Sequence, residues 1–345
     1  MKLVVHQHLI PPTYRQILIE NGVSDVGGRA VPDWTPELAF AEMLDAGIDG
    51  AILSVSAPGT TVLTDPAETT RLARTLNDYG AELSRAHPDR IGYFATLPMP
   101  GLTAATAEAE YALDTLHADG VILLANARGH YLGQPGQEPL FDALNQRDAI
   151  VLIHPAELPG PTVPDLPPFA ADFLLDTTRA AYLLVRHEII RNYPRIRFIL
   201  SHAGGFLPYA AHRMTIGIAG DTGRSPRDIL TDFRSFYFDT ALSASPASLL
   251  ALLSFAQPDH ILYGSDWPFA PAAAVTYFNA GLTQHMTRSP LGRSIRDAIE
   301  HQNARILFPR FGTPPPTSTR GTVAAVKSAL QDRLARTVFS MMNPS

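Results

Sequence analysis

The stretch AIVLIHP, residues 149–155, decides how this chain is read. An unbroken apolar run stops at His154, and a strand apolar on both faces is one that helices cover on both sides of a parallel sheet. The same construction recurs elsewhere. KLVVHQH (2–8) closes on His8, RFILSHAGG (197–205) carries His202, and HILYGSDWPF (260–269) carries Asp266. Eight such β-rich runs can be marked, at 2–8, 50–55, 91–96, 120–124, 150–154, 197–202, 236–239 and 261–266. Segments of helical spacing separate them: Leu72, Leu76, Tyr79 and Leu83 keep the 3/4 spacing, and Pro36 stands where a helix starts ahead of Leu38, Met43 and Leu44. Eight strand–helix repeats predict an α/β fold, a closed (β/α)8 barrel, as one domain over residues 1–312. An open doubly wound sheet would ordinarily carry a Gly-rich phosphate loop after an early strand, and none is present.

In such a barrel the C-terminal ends of the strands meet on one rim. His6 and His8 are two apart on a strand and so share a face; with His154 and Asp266 they form a nitrogen and oxygen ligand set for one divalent metal, with zinc the first expectation and manganese the second. Each residue also has an ordinary reading: solvated imidazoles at a strand end for the HxH pair, and a helix cap before Trp267 and Pro268 for Asp266. His202 is read as an acid/base or substrate-polarising group, against a second metal ligand or a core histidine, with the glycine pair after it bringing backbone close to the pocket. Asp239, closing FYFDTALS (236–243), either hydrogen-bonds a neighbour or lines the pocket. His130 and Tyr131 lie in the loop after the fourth run as lesser substrate contacts, whereas His87, His117, His187 and His260 fall in helices or at the opposite face and are read as structural.

Composition narrows the function. A formal net charge of −6 over 345 residues offers no electrostatic footprint for nucleic acid or an anionic membrane, which leaves a small-molecule substrate. The absence of Cys removes thiolate metal sites and a cysteine nucleophile. No run of eighteen apolar residues and no signal-like segment occurs, and a cytoplasmic protein is expected. Beyond Phe311, GTPPPTSTRGT (312–322) reads as a linker, and 313–345 as that Pro-rich linker followed by a helical tail.

With these residues placed, the chain resembles the amidohydrolase superfamily, in the branch of metal-dependent decarboxylases that includes the 2-amino-3-carboxymuconate-6-semialdehyde and o-hydroxybenzoate decarboxylases. The resemblance spans about residues 2–310 and rests on VVHQHLIPPTY, LSVSAPG, PLFDALNQRDAIVLIHPA, DTTRAAYLLV, FILSHAGGFLPYAAHR and LYGSDWPFAP. YLG, LIHPAELP, DTTRA and GSDWPFAP are most similar to the 6-methylsalicylate decarboxylases. The resemblance implies that His6, His8, His154 and Asp266 bind one metal and that His202 is the catalytic histidine. It further implies a homodimer in which Arg213, eleven residues after that histidine, reaches the partner's substrate. Arg29 is a second candidate for gripping a carboxylate. No lysine ends the fourth run, which closes in LLANAR, so a mononuclear site follows.

The expected activity is non-oxidative decarboxylation of an o-hydroxybenzoate-type acid, with Asp266 delivering a proton to the ring carbon, His202 polarising the substrate, and Trp34, Trp267 and Phe269 as an apolar wall. Two other classes stand beside it: a metal-dependent lactonase or hydratase acting on a small cyclic or unsaturated acid through an activated water, and a metal-free binding protein on a barrel scaffold.

Overall fold

Eight parallel strands close on themselves: β1 (Leu3–His8), β2 (Gly50–Ser54), β3 (Ile91–Thr96), β4 (Gly120–Leu124), β5 (Ile150–His154), β6 (Arg197–Leu200), β7 (Tyr237–Asp239) and β8 (Ile261–Gly264), each beside its sequence neighbour and β8 beside β1. The computed structural model describes residues 2–286 and 290–312. The expected linker and tail at 313–345 lie outside the described residues. Each expected run contains a strand, and two of the strands end two residues earlier than read. β6 stops before His202 and β8 before Asp266, because the backbone at those residues turns to φ of 53° and 60°, which no strand can contain.

Helices supply the crossovers. In chain order they are α1 (Pro12–Glu20), α2 (Pro36–Ala46), α3 (Pro66–Ala86), α4 (Leu102–Asp114), α5 (Glu138–Gln146), α6 (Asp172–Arg186), α7 (Ile189–Asn192), α8 (Leu207–Thr222), α9 (Pro226–Arg234), α10 (Pro246–Phe255) and α11 (Ala272–Met286). Pro36 opens α2 with Thr35 as its cap, the Thr35 side chain accepting from the Leu38 amide. Asp65 caps α3 in the same way through the Glu68 amide.

Strand alternation separates two cores. Val4, Leu53, Val121, Val151 and Ile153 face the helices, where they meet Leu72, Leu76, Leu140 and Leu184. Leu3, Val5, Ile52, Phe94, Ile122 and Leu152 fill the barrel itself, which is closed at its N-terminal end by Leu307, Phe308 and Phe311 from the last described turns. The barrel interior is thus a packed core with its chemistry confined to the other end. Phe308 is buried and its ring meets Phe94 edge-on at 5.9 Å. Phe308→Ala is expected to lower folding stability by about 3–5 kcal/mol, read from the denaturation midpoint; a loss under about 1 kcal/mol would mean that this end is closed by something else.

Candidate metal centre and active site

Regular alternation would turn His6 and His8 away from the site. Leu3 and Val5 point into the barrel and Val4 points out, so the pattern continued to residue 8 would send both histidines toward the helices. β1 instead carries an irregularity: its register shifts between Val4 and His6 against β8 and between Val4 and Gln7 against β2. A bulge adds one residue to one strand and resets its faces, so Val5 and His6 both face inward and His8 follows. On β5 no reset is needed, because Ile150, Leu152 and His154 share the inner face by plain alternation.

Asp266 and His202 arrive by a different route. Both lie two residues beyond a strand in left-handed conformation, a strain of about 1–3 kcal/mol for a non-glycine residue that its surroundings must hold. The Asp266 amide donates to the His6 carbonyl at 3.0 Å, as does Ser265, and the His202 amide donates to Asp239 Oδ1 at 3.0 Å. The turn after His202 continues with positive φ through Ala203, Gly204 and Gly205. A Cβ at Gly204 would stand 2.8 Å from the Phe238 ring, which is the physical need for glycine in SHAGG.

Four buried side chains converge. The ligand atoms of His6, His8, His154 and Asp266 all lie within 4.8 Å of one another. His6 Nε2 is 3.1 Å from His8 Nε2, and Asp266 Oδ1 is 3.3 Å and 3.1 Å from those two nitrogens. Each imidazole is tied at its other nitrogen: His6 Nδ1 donates to Asp239 Oδ2 at 2.7 Å, His8 Nδ1 to the Ser54 carbonyl at 3.1 Å, and His154 Nδ1 to the Pro155 carbonyl at 2.8 Å. With Nδ1 as donor in all three, every Nε2 is turned to the shared point, the arrangement by which outer partners orient metal-bound histidines. Three such nitrogens and a carboxylate fit one divalent cation, and this is a buried metal site.

The electrostatics agree with that donor set. Burial opposes a charge on His6, but the carboxylates of Asp239 and Asp266 outweigh it and push the imidazole up to about 10. Burial lowers His8, offset only in part by Asp266, and burial with the surrounding imidazoles holds His154 well below its ordinary range. Burial would raise Asp266, yet hydrogen bonds from His6 and His8 keep its carboxyl well below the usual carboxylate value. Without metal the site therefore holds one imidazolium, two neutral imidazoles and a carboxylate.

His202 stands beside this cluster, its ring 5.0 Å from that of His6 and 5.9 Å from that of His154. Its Nδ1 donates to the Ala241 carbonyl at 3.2 Å. Asp239 resolves toward the first of its two sequence readings: one oxygen takes His6 Nδ1–H and the other takes the amides of His202 and Ala241. Asp176 was not singled out from the sequence. Buried on α6, it accepts from Asn126 Nδ2 and from the Ala156 amide, both at 2.9 Å, and so pins the segment that follows His154. An aspartate inside a helical run carries no strand-end signal that would reveal this.

A cavity of about 770 Å³ opens over His154, His202 and Asp266. Phe269 lines it and packs edge-on to His8 at 5.6 Å; Arg29, on a short ribbon (Asp25–Val26 with Arg29–Ala30), lines it with its guanidinium 4.4 Å from the Phe169 ring. Other aromatic walls, Phe169, Phe173, Phe206, Tyr277 and Phe278, come from loops and helices whose approach to the rim the sequence does not announce. Trp34 belongs elsewhere: in the loop just before α2, it is buried in the outer core against Tyr79 and is not part of the cavity lining. Trp267, also buried, stays in that core as well. Tyr131 meets Arg179 in a separate shallow pocket, and His130 is exposed. Arg213 is exposed on α8 and does not line its own chain's cavity. Three of the four histidines read as structural do bond or stack within the scaffold: His87 on Phe40, His187 to the Gly133 carbonyl, and His260 on Tyr237.

Fold and site together define a (β/α)8 barrel protein with one buried His/His/His/Asp metal centre at its C-terminal rim. The amidohydrolase family matches residues 5–310, and the chain belongs to that family. It is 38% identical over 318 residues to the 6-methylsalicylic acid decarboxylase of Penicillium expansum, covering 90% of this chain and 97% of that one. It is also 38% identical over 330 residues to the decarboxylase yanB of Aspergillus niger, covering 91% and 89%. Among solved structures it is similar to an amidohydrolase II, with a TM-score of 0.82 and 34% identity over 90% of this chain and 100% of the other.

Two outcomes follow from the geometry. Asp239→Asn turns an amide N–H toward His6 Nδ1 and favours the wrong tautomer, so metal affinity should fall about 10- to 100-fold with the circular dichroism spectrum retained; an unchanged affinity would remove Asp239 from this role. Because His6 is raised to about 10, a cation must displace its proton at neutral pH. Loading at pH 7 should release about one proton per ion, measured calorimetrically in buffers of different ionisation enthalpy. Affinity should climb about ten-fold per pH unit from pH 7 toward 9, and a flat profile would contradict the His6 assignment.

Proposed function

We propose that this protein is a metal-dependent, non-oxidative decarboxylase of hydroxybenzoate-type aromatic acids such as 6-methylsalicylate, a carboxy-lyase on the amidohydrolase scaffold. The observation that carries the reading is the convergence of the complete ligand set and His202 at the floor of an aromatic-walled cavity, in a chain 38% identical across nine-tenths of its length to a decarboxylase of that acid.

Direct loss of CO₂ from an aryl carboxylate leaves an unstabilised aryl anion, so protonation of the ring carbon first is the lower route. A divalent cation held by His6, His8, His154 and Asp266 would supply Lewis acidity toward the oxygens of the substrate. Asp266 is ionised at rest. It takes the proton of the incoming hydroxyl and returns it to the carbon that bears the carboxylate; the carbon–carbon bond then breaks, its electron pair restores the aromatic ring, and CO₂ leaves. One proton from solvent completes the phenol product. His202, held by Ala241 and Asp239, polarises the substrate from the side. Phe269 offers a face for the ring, and Arg29 is a cation at the rim for a carboxylate.

Zinc is proposed as the metal, with manganese second, since imidazole nitrogens dominate the donor set. A homodimer in the cytoplasm completes the proposal. Its support is α8, where Tyr209 at the cavity mouth is 90% and Ile216 72% exposed, one turn before and one turn after Arg213. No helix among the described residues is long and apolar enough to cross a membrane.

The metal-loaded protein should release CO₂ from 6-methylsalicylate, with activity abolished in Asp266→Asn and lowered about 10²- to 10⁴-fold in His202→Ala. A hydrated or ring-opened product without CO₂ would favour the lactonase or hydratase class instead. If Arg213 acts in trans, mixing Arg213→Ala and His202→Ala subunits should restore roughly a quarter of wild-type activity; no recovery on subunit exchange would return Arg213 to a surface role.

A further inference from the structure

The cavity is larger than one substituted ring requires. At about 770 Å³ it lies within the roughly 300–1,000 Å³ range that buries a drug-sized ligand, and its chemistry is uneven. The titratable groups at the floor are His154, His202 and Asp266, and among the described lining residues Arg29 is the only lysine or arginine, stacked on Phe169. Away from that floor the lining passes to Leu242, then to Ala247 and Ala251 of α10 and Ala274 and Phe278 of α11. Each pair sits one helical turn apart, so the wall continues for about 6 Å along both helices. Ala247, Ala251 and Ala274 keep this part of the wall low and apolar.

The hydroxyls nearby do not make this arm polar. Ser248 Oγ lies 2.7 Å from both the Ser243 carbonyl, to which it donates, and Ser245 Oγ. Ser245 and Ser248 satisfy each other's hydroxyls, and a polar substituent seated against Ala247, Ala251 and Ala274 would exchange water for no partner there.

We infer that the preferred substrate is a hydroxybenzoate whose ring carries a linear apolar chain longer than methyl, seated between α10 and α11. This rests on the decarboxylase reading of the same site. Each methylene moved from water to an apolar wall contributes roughly three- to four-fold, until the arm is full. A segment of a neighbouring subunit is the competing occupant, and it would make the arm indifferent to chain length.

The experiment is a homologous series, 6-methyl-, 6-propyl- and 6-pentylsalicylate, offered to the metal-loaded full chain, with CO₂ release giving kcat/KM and calorimetry giving affinity. Both are expected to improve from methyl to pentyl, and in Ala251→Phe the pentyl-to-methyl ratio should fall at least ten-fold, with the methyl compound in the same preparation reporting that the variant is folded. Ala251→Leu is the milder variant if the phenylalanine is not tolerated. A flat or declining series in both readouts, or the same chain-length dependence in the Ala251 variants, overturns the arm. Affinity that grows with chain length without CO₂ release upholds the arm and overturns the decarboxylase reading.

Discussion

Closure of the sheet between β1 and β8 is the constraint on which the rest depends. The His6 carbonyl accepts the amides of both Ser265 and Asp266, and the His8 amide donates to the Trp267 carbonyl at 2.7 Å. These bonds join the first strand to the last across some 260 residues of chain, and they bring the HxH pair and the aspartate into one cluster. A sheet left open at this seam would keep every strand and every helix, yet His6 and Asp266 would be separate edge residues. The bulge in β1 belongs to the same seam, since it is where the register with both neighbours changes.

Burial of the site sets the second condition. Four titratable side chains out of water are costly unless each polar atom is paired, and here the outer nitrogens are paired to Asp239, Ser54 and Pro155 while the inner ones face a common point. Asp239 is central to this economy. It orients His6 through one oxygen and holds the strained backbone at His202 through the other, so the geometry of His6 and of His202 is coupled through a single carboxylate. The packed interior below, with Phe94, Phe308 and Phe311, fills the other end of the barrel, so that among the described residues the site opens at the rim.

Much of this was legible in the sequence, for physical reasons that can be named. A parallel strand covered by helices is apolar on both faces, so AIVLI and RFIL stand out as runs, and a polar residue at the end of such a run has few places to be except the rim. That reasoning found His154, His202 and Asp266. It also found His6 and His8, but by an argument that needs amendment: they share a face as two residues on one strand must, yet that face is inward only because of the bulge, which has no sequence signature here. Trp34 shows the opposite failure. A tryptophan near the rim in sequence order packs into the helix layer against Tyr79, and the aromatic wall is drawn from Phe169, Phe173 and Phe278 instead.

The sequence by itself determined the fold class, the number of barrel strands, the ligand set and the family, because each is encoded in short-range patterns: apolar runs, their polar ends and the spacing between them. Only the tertiary structure decided that Asp239 holds His6 and His202, that Asp176 pins the segment after His154, and that the cavity extends between α10 and α11. Those facts depend on distances between residues 20 to more than 200 apart along the chain, which are set by how the closed barrel twists and how its helices pack, and no local periodicity carries them.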